Sequence, residues 1–374
     1  VRSPVESSPK STVEPVPAPA SGAAYTCFTS GSTGVPKGVT VSVSALAYST
    51  AARLAYYREP PKTFLLCSSI SFDSSVAGIY WTLATGGHLV IPASRPADLG
   101  ALRRAARRWR PSHLLMVPSL YRIVLREGLA AELESLSTAI VAGEVCPPAL
   151  VGEHLAALPA TRLYNEYGPT ECTVWCTVHA CRPSDATAVS VPIGAPIPGA
   201  RLYVRDPAGG PCPPGEVGEL YVGGPGVARP ASAGGEPVPA GTRSVAADAG
   251  PIAADADPIA ADAEPESSPF RQVGGERLYR TGDLVRIGPD GLLTFHGRRD
   301  DQLKLGAVRV ERAEIEHVLA GADGVAAAAV GVATDGERTR VVGFVVPTKA
   351  TPDVPRIRAF MLTRDRKSTR LNSS

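Results

Sequence analysis

From Ala23 onward, short uninterrupted apolar runs alternate with stretches whose apolar residues recur at helical spacing. Residues 64–67, 88–91, 113–117 and 139–142 are runs of the first kind. Their length and continuity suit strands covered on both faces, as in a parallel sheet. Residues 99–109 and 119–126 carry the helical period between them. The alternation predicts an α/β architecture with parallel strands. Residues 191–224 change character. Prolines, glycines and β-branched residues there predict short antiparallel strands, arranged as a distorted barrel.

Three segments fall outside this pattern. Residues 1–22 are rich in Ser, Pro, Val and Glu, without a sustained period, and read as a disordered or foreign leader. Residues 230–270 read as a low-complexity insertion. Within them 246–252, 253–259 and 260–266 are near copies of Ala-Ala-Asp-Ala-x-Pro-x. Proline at every seventh position prevents a continuous helix, and the acidic, Ala-rich composition predicts a solvated loop with little to bury. Residues 363–374 break abruptly from the preceding composition and read as a non-native tail.

Composition narrows the class without choosing within it. The chain has 374 residues, a net charge of +2 and 20% charged residues, so bulk attraction to nucleic acid or to a membrane is not expected. No apolar stretch reaches bilayer length, and no secretory signal pattern opens the chain. Seven cysteines without a regular framework predict reduced thiols and a cytoplasmic setting. Cys172, Cys176, His179 and Cys181 lie close together in the chain, but their spacing matches no common zinc pattern and reads as coincidence. Arg103, Arg104, Arg107, Arg108 and Arg110 read as a solvated helix face.

The chemistry concentrates in Thr29-Ser30-Gly31-Ser32-Thr33-Gly34-Val35-Pro36-Lys37-Gly38. Glycines let backbone amides approach a ligand, hydroxyls add donors, and Lys37 adds a mobile positive charge. These residues describe a loop for phosphate oxygens, distinct from the Gly-Lys-Ser/Thr loop of common NTPases. Four segments follow in order: Phe72-Asp73-Ser74-Ser75, Asn165-Glu166-Tyr167-Gly168-Pro169-Thr170-Glu171, Tyr279-Arg280-Thr281-Gly282-Asp283-Leu284 and Gly297-Arg298-Arg299-Asp300-Asp301-Gln302-Leu303-Lys304. Gly218-Glu219-Leu220 and Gly226-Val227-Ala228-Arg229 add a weaker sixth. Together they resemble the signatures of adenylate-forming enzymes, and within them the adenylation domain of a non-ribosomal peptide synthetase, over roughly residues 23–345.

That resemblance implies a large adenylation core over 23–299, with parallel sheets and a distorted β-barrel, and a small α+β C-terminal domain over 300–362. It implies ATP-dependent activation of an amino acid as aminoacyl-AMP, with Mg2+, for loading onto a phosphopantetheinylated carrier protein domain. A small accessory protein is left open as a further partner. Ser30, Gly31, Ser32, Thr33, Gly34 and Lys37, with Thr29 beside them, would hold the β- and γ-phosphates. Glu171 would bind Mg2+ and Thr170 the α-phosphate. Tyr167 would stack on adenine, flanked by Glu166 and Gly168 in the same motif. Asp283 would accept both ribose hydroxyls, Arg298 would reach ribose or phosphate, and Asp300 would be the hinge between domains. Lys37, Thr170 and Glu171 are the implied catalytic set.

Asp73 stands where amino-acid-activating relatives bind the substrate ammonium; a helix-capping aspartate is the plainer alternative. Aligned motifs nominate Ser74, Ala77, Met116, Ile140, Ala142, Glu166, Val174 and Trp175 as the remaining pocket lining. Trp175 would shorten the pocket. Glu166 would be costly if buried unpaired, so it meets a cationic group on the substrate, water or a basic neighbour. The expectation is a small or medium amino acid with a second amine. The chain also departs from the family. Gly306 and Ala307 replace an expected Arg-Gly, a Gly-Tyr after Arg229 is missing, and upstream core and a closing Asn-Gly-Lys are absent, so truncation at both ends is expected. The competing readings are an acyl- or aryl-CoA ligase and a non-catalytic fragment.

Overall fold

The computed structural model describes residues 22–29, 37–92, 98–230, 252, 268–299, 302–305, 308–335, 338–348 and 351–364. It opens with strands β1 (Ala23–Thr29) and β2 (Lys37–Ser42), antiparallel, with Thr29 paired to Lys37. Helix α1 (Val43–Tyr56) starts at once, because the Ser42 hydroxyl accepts the Ala45 N–H at 3.2 Å and caps it. The expected alternation follows: β3 (Thr63–Leu66), α2 (Ser74–Ala84), β4 (His88–Val90), α3 (Leu99–Trp109), β5 (His113–Met116), α4 (Pro118–Arg126), β6 (Thr138–Ala142), α5 (Pro148–Ala157) and β7 (Arg162–Tyr167). The strands lie in the order β4-β3-β5-β6-β7, all parallel. Two antiparallel strands, β8 (Thr177–Ala180) and β9 (Ala195–Pro196), extend the sheet.

Successive side chains on these strands sort to opposite faces. Leu65, Leu114, Met116, Ala139, Val141 and Leu163 join Leu102, Tyr121, Val124 and Leu150 from α3, α4 and α5. Phe64, Leu66, Leu115, Ile140 and Tyr164 join Ala52 and Trp81 from α1 and α2. Both faces are therefore dry, which is why the strands read as continuous apolar runs. On α3, Asp98 caps the Ala101 N–H at 2.9 Å, and Ala101, Leu102, Ala105 and Ala106 face the sheet. Its exposed arginines form the expected solvated face, Arg107 pairing with Glu132 at 2.7 Å. Helix α4 begins one residue before its sequence expectation, at Pro118, where a missing N–H costs nothing.

A second sheet is built from β10 (Arg201–Arg205), β11 (Val217–Gly223), then β12 (Arg229–Pro230), which pairs instead with β2, then β13 (Phe270–Val273), β14 (Glu276–Ile287) and β15 (Leu293–Arg298). Strands β10, β11 and β14 are antiparallel neighbours, and β13 and β15 share the far edge of β14. The antiparallel character matches expectation; the barrel does not close among the described residues. Beyond β10 lies only an isolated bridge from Arg205 to Pro211, and a proline cannot extend a ladder. The two sheets join where Gly194 and Leu293 pair. The solvated-loop expectation for 230–270 also needs correcting at one point: Ile252, which ends the first repeat, packs against the apolar cluster of this sheet. The other residues of the repeats lie outside the described residues.

The chain continues through β16 (Gln302–Leu305), β17 (Val308–Glu311), α6 (Arg312–Ala320), β18 (Val325–Asp335), β19 (Arg338–Pro347) and α7 (Val354–Arg364). Leu319, Ala322, Val325, Val330 and Ile357 form a separate small apolar cluster here. No described helix is long and apolar enough to cross a membrane.

Candidate active site

Several of the sequence-nominated residues meet near the carboxyl end of β7, at the edge where open α/β sheets place their ligands. Strand β7 delivers Asn165, Glu166 and Tyr167 to this edge. The chain then turns through Gly168 and Pro169 into the short helix Thr170–Cys172. Gly168 is required by a close approach: a Cβ there would lie 2.4 Å from the Cα of Trp175. Thr173 and Val174 leave the turn with φ of 55° and 82°, a region non-glycine residues rarely occupy. Thr173 is held there by its hydroxyl, which donates to the Gly226 carbonyl at 2.7 Å, and by its carbonyl, which accepts from the Ser49 hydroxyl at 2.9 Å. Strain fixed by such contacts is typical of a functional turn.

Asp73 opens α2, but no side-chain capping bond accompanies it, so the helix-capping alternative lacks its defining contact. Its carboxylate accepts the Thr170 hydroxyl as well as the Ser74 and Asp73 backbone N–H groups, and lies near Glu171. Burial pushes the Asp73 carboxyl up to about 6, against the Thr170 bond and with help from the Glu171 charge. Three nominated residues from two distant motifs thus share one place.

A second group converges beside them. The Tyr167 phenol donates to Asp283 Oδ2 at 2.5 Å, and Arg298 Nη1 donates to Asp283 Oδ1 at 2.6 Å. Burial and the Asp283 charge push Tyr167 well above the usual phenol range, so it stays a neutral donor. Asp283 follows Gly282, whose φ of 72° lies inside β14 where the register with its neighbours shifts, as at a bulge. Sequence reading missed the neighbouring clamp. Glu219 takes two bonds from Arg280, at 2.8 and 3.0 Å, and one from Arg299 at 2.8 Å. Its signals were the weak Gly218-Glu219-Leu220 motif and the arginines of two other motifs, Arg280 and Arg299, none of which showed that they pair.

Of the alternatives for Glu166, the structure places a basic neighbour. Arg53 Nη1 and Nη2 reach its two oxygens at 2.5 and 2.8 Å, and the Tyr57 hydroxyl donates at 2.5 Å. Burial alone would lower the Arg53 guanidinium, but the charge and bonds of Glu166 hold it above its ordinary value. The guanidinium also lies 4.2 Å from the ring centre of Trp175, which stacks on Tyr57 at 5.9 Å. A second amine on the substrate therefore loses the unpaired carboxylate that suggested it.

The pocket nominees divide accordingly. Trp175 at 1% exposure and Ile140 at 0% are packed into this aromatic floor, with Glu166 beneath. Ala77 is buried in the same cluster, Ala142 and Val174 are half-buried against it, and Ser74 is half-buried. Met116 departs from the group: it points to the opposite sheet face, among Leu114 and Val141, because its register in β5 differs from that of Leu115. Thr29 and Lys37 flank the phosphate-loop segment, the Thr29 hydroxyl donating to the Lys37 carbonyl at 3.4 Å. Ser30, Gly31, Ser32, Thr33 and Gly34 lie outside the described residues, as does Asp300.

Comparison with known proteins follows the same line. The family model described as AMP-binding enzyme matches residues 2–230. Novobiocin biosynthesis protein H of Streptomyces niveus is 37% identical over 338 residues, covering 90% of this chain and 50% of that protein. The adenylation domain AlmE of Vibrio cholerae, solved with glycyl-adenosine-5'-phosphate, superposes with a TM-score of 0.69 at 27% identity, over 86% of this chain and 57% of that one. An NRPS protein containing adenylation and PCP domains, bound to a vinylsulfonamide inhibitor, gives 0.71 at 26% identity, over 93% and 56%. The chain thus spans about half the length of these relatives.

Proposed function

The chain belongs to the AMP-binding enzyme family, and from that premise we propose that it activates an amino acid with ATP as aminoacyl-AMP, for thioester loading onto a carrier protein. The observation that carries the reading is the meeting of Asp73, Thr170 and Glu171 beside the Tyr167–Asp283–Arg298 group. One set offers a carboxylate to an ammonium and a hydroxyl donor to phosphate; the other offers a purely accepting carboxylate to a ribose diol. A cytoplasmic setting fits the seven free cysteines.

Asp73 would pair with the substrate ammonium and fix which way the carboxylate faces. Thr170 would donate to the α-phosphate, and Lys37, with the hairpin-held loop, would offset charge on the departing pyrophosphate. Glu171 is buried beside Asp73, so two adjacent carboxylates crowd negative charge that a divalent cation would offset. It would hold Mg2+, which supplies charge neutralisation and alignment of the phosphates. The packed Trp175 and Ile140, with Glu166 already paired to Arg53, favour a small amino acid without a second amine. Residues 300–362, with their own apolar cluster, would form the small domain, and Asp300 its hinge.

The test is amino-acid-dependent exchange of labelled pyrophosphate into ATP, together with calorimetric binding of a non-hydrolysable aminoacyl-adenylate analogue. Both should favour glycine- or alanine-sized side chains. Exchange driven by aryl or fatty acids and not by amino acids rejects the reading. Glu171→Gln should lower exchange by at least about a hundredfold while leaving Tm nearly unchanged.

A further inference from the structure

A cluster of ligand-bearing side chains lies apart from the candidate active site. His179 belongs to β8, Cys181 follows that strand, and Asp185 sits in the short helix Pro183–Thr187. Their ligand atoms all lie within 4.8 Å of one another. A fourth donor adjoins them: Cys181 shares a side-chain hydrogen bond with Cys146, in the connection between β6 and α5. His179, Asp185 and Cys146 are buried, and Cys181 is half-buried, which leaves a way in.

We propose that Cys146, His179, Cys181 and Asp185 form a structural zinc site. Two sulfurs, one imidazole and one carboxylate make a donor set that suits this borderline-soft cation, whereas Mg2+ and Ca2+ prefer oxygen alone. Four protein donors also complete a tetrahedron and leave no position open for substrate, as in structural rather than catalytic sites. With Zn–S about 2.3 Å and Zn–N about 2.1 Å, tetrahedral ligand atoms stand about 3.6 Å apart. The His179, Cys181 and Asp185 ligand atoms, all within 4.8 Å of one another, approach that spacing, and Cys146 stands outside this trio, joined to it through Cys181.

The surroundings are already arranged for ligation. His179 Nε2 and Asp185 Oδ2 are 2.7 Å apart, and the Arg182 N–H donates to the same carboxylate oxygen at 2.6 Å, which fixes its orientation. The Asn165 backbone N–H donates to the Cys181 sulfur and favours its thiolate. Against this, the Cys146 bond and burial push the Cys181 thiol up. Thiolates are the zinc ligands, so binding releases the thiol protons to solvent while the Zn–S bonds form, and affinity rises with pH. Cys172 and Cys176, near His179 in the chain, belong to a different apolar cluster, while Cys146 lies far upstream, so the spacing reads as coincidence in sequence. Bound zinc would tie the β6–α5 connection to the end of β8, on either side of β7.

The test uses the 374-residue chain, reduced and dialysed against buffered zinc and, separately, cobalt(II). The expected result is one metal per chain, a rise in Tm on zinc addition, and a thiolate-to-cobalt charge-transfer band with tetrahedral d–d bands. Cys146→Ser and Cys181→Ser should each weaken the charge-transfer band, and His179→Gln should lower zinc affinity by more than about tenfold. Cys212→Ser, in the other cluster, should change none of these. Substoichiometric zinc, or cobalt bound without a thiolate band, in the unsubstituted protein overturns the proposal whatever the variants do. Full zinc retention in the Cys146→Ser/Cys181→Ser double variant overturns it as well.

Discussion

Asp73 holds its charge in a place that works against it. With its carboxyl pushed up to about 6 by burial, lowering the pH through that value neutralises the group. A neutral carboxyl offers an ammonium no countercharge, so kcat/KM for the amino acid should climb as pH rises through about 6. Asp73→Asn should remove that limb and raise the amino-acid KM with a smaller change for ATP. A pH profile unchanged in the variant would assign the limb elsewhere. Glu166 has the opposite character, since Arg53 and Tyr57 satisfy it fully. Glu166→Gln leaves the Arg53 cation buried and should cost about 3–5 kcal/mol in urea unfolding, whereas Arg53→Met with Glu166→Met should cost much less. Sequence reasoning flagged Glu166 as needing a partner, but Arg53 is 113 residues away, and no periodicity joins positions that distant.

At the level of elements, legibility followed how much of the signal was local. The runs at 64–67, 113–117 and 139–142 were readable because both faces of those strands are dry, and helix α3 because its alanine stripe keeps a helical period. Register was harder. Met116 and Leu115 are adjacent in β5 yet serve opposite faces, and a motif alignment has no means of telling which side each takes. The open edge of the second sheet depends on what lies beside β10, which composition does not report. Ile252 shows the same limit, because an Ala-rich repeat conceals a residue that packs on the sheet. Ile252→Ala should lower stability by about 1–2 kcal/mol, less than a fully buried isoleucine, while Ile259→Ala tests whether the second copy docks as well. Equal loss from both would show that the repeats act together.

Across the whole molecule, the motifs that resemble one family are separated by most of the chain, yet the fold brings them to one edge. Their order was legible; their contacts were not, since Tyr167 meets Asp283 across 116 residues and Arg299 meets Glu219 across 80. Glu219→Gln should cost about 1–2 kcal/mol, because its two arginines are reached by water, and should weaken nucleotide binding through the displaced strand β15. Unaltered nucleotide affinity in that variant would confine the clamp to stability.

Arg298 and Arg299 are consecutive, yet they grip different carboxylates, Asp283 and Glu219, while the Arg299 N–H also holds the Gly282 carbonyl at 2.8 Å. A ligand occupying Asp283 would compete for the first grip and leave the second intact. Conversely, any reorientation of the segment beyond residue 299 would pull on Gly282 and so on the carboxylate next to it. The two events are then linked by one free energy, and each must shift the other by the same factor. Nucleotide would report on the posture of the C-terminal segment as faithfully as that posture reports on nucleotide.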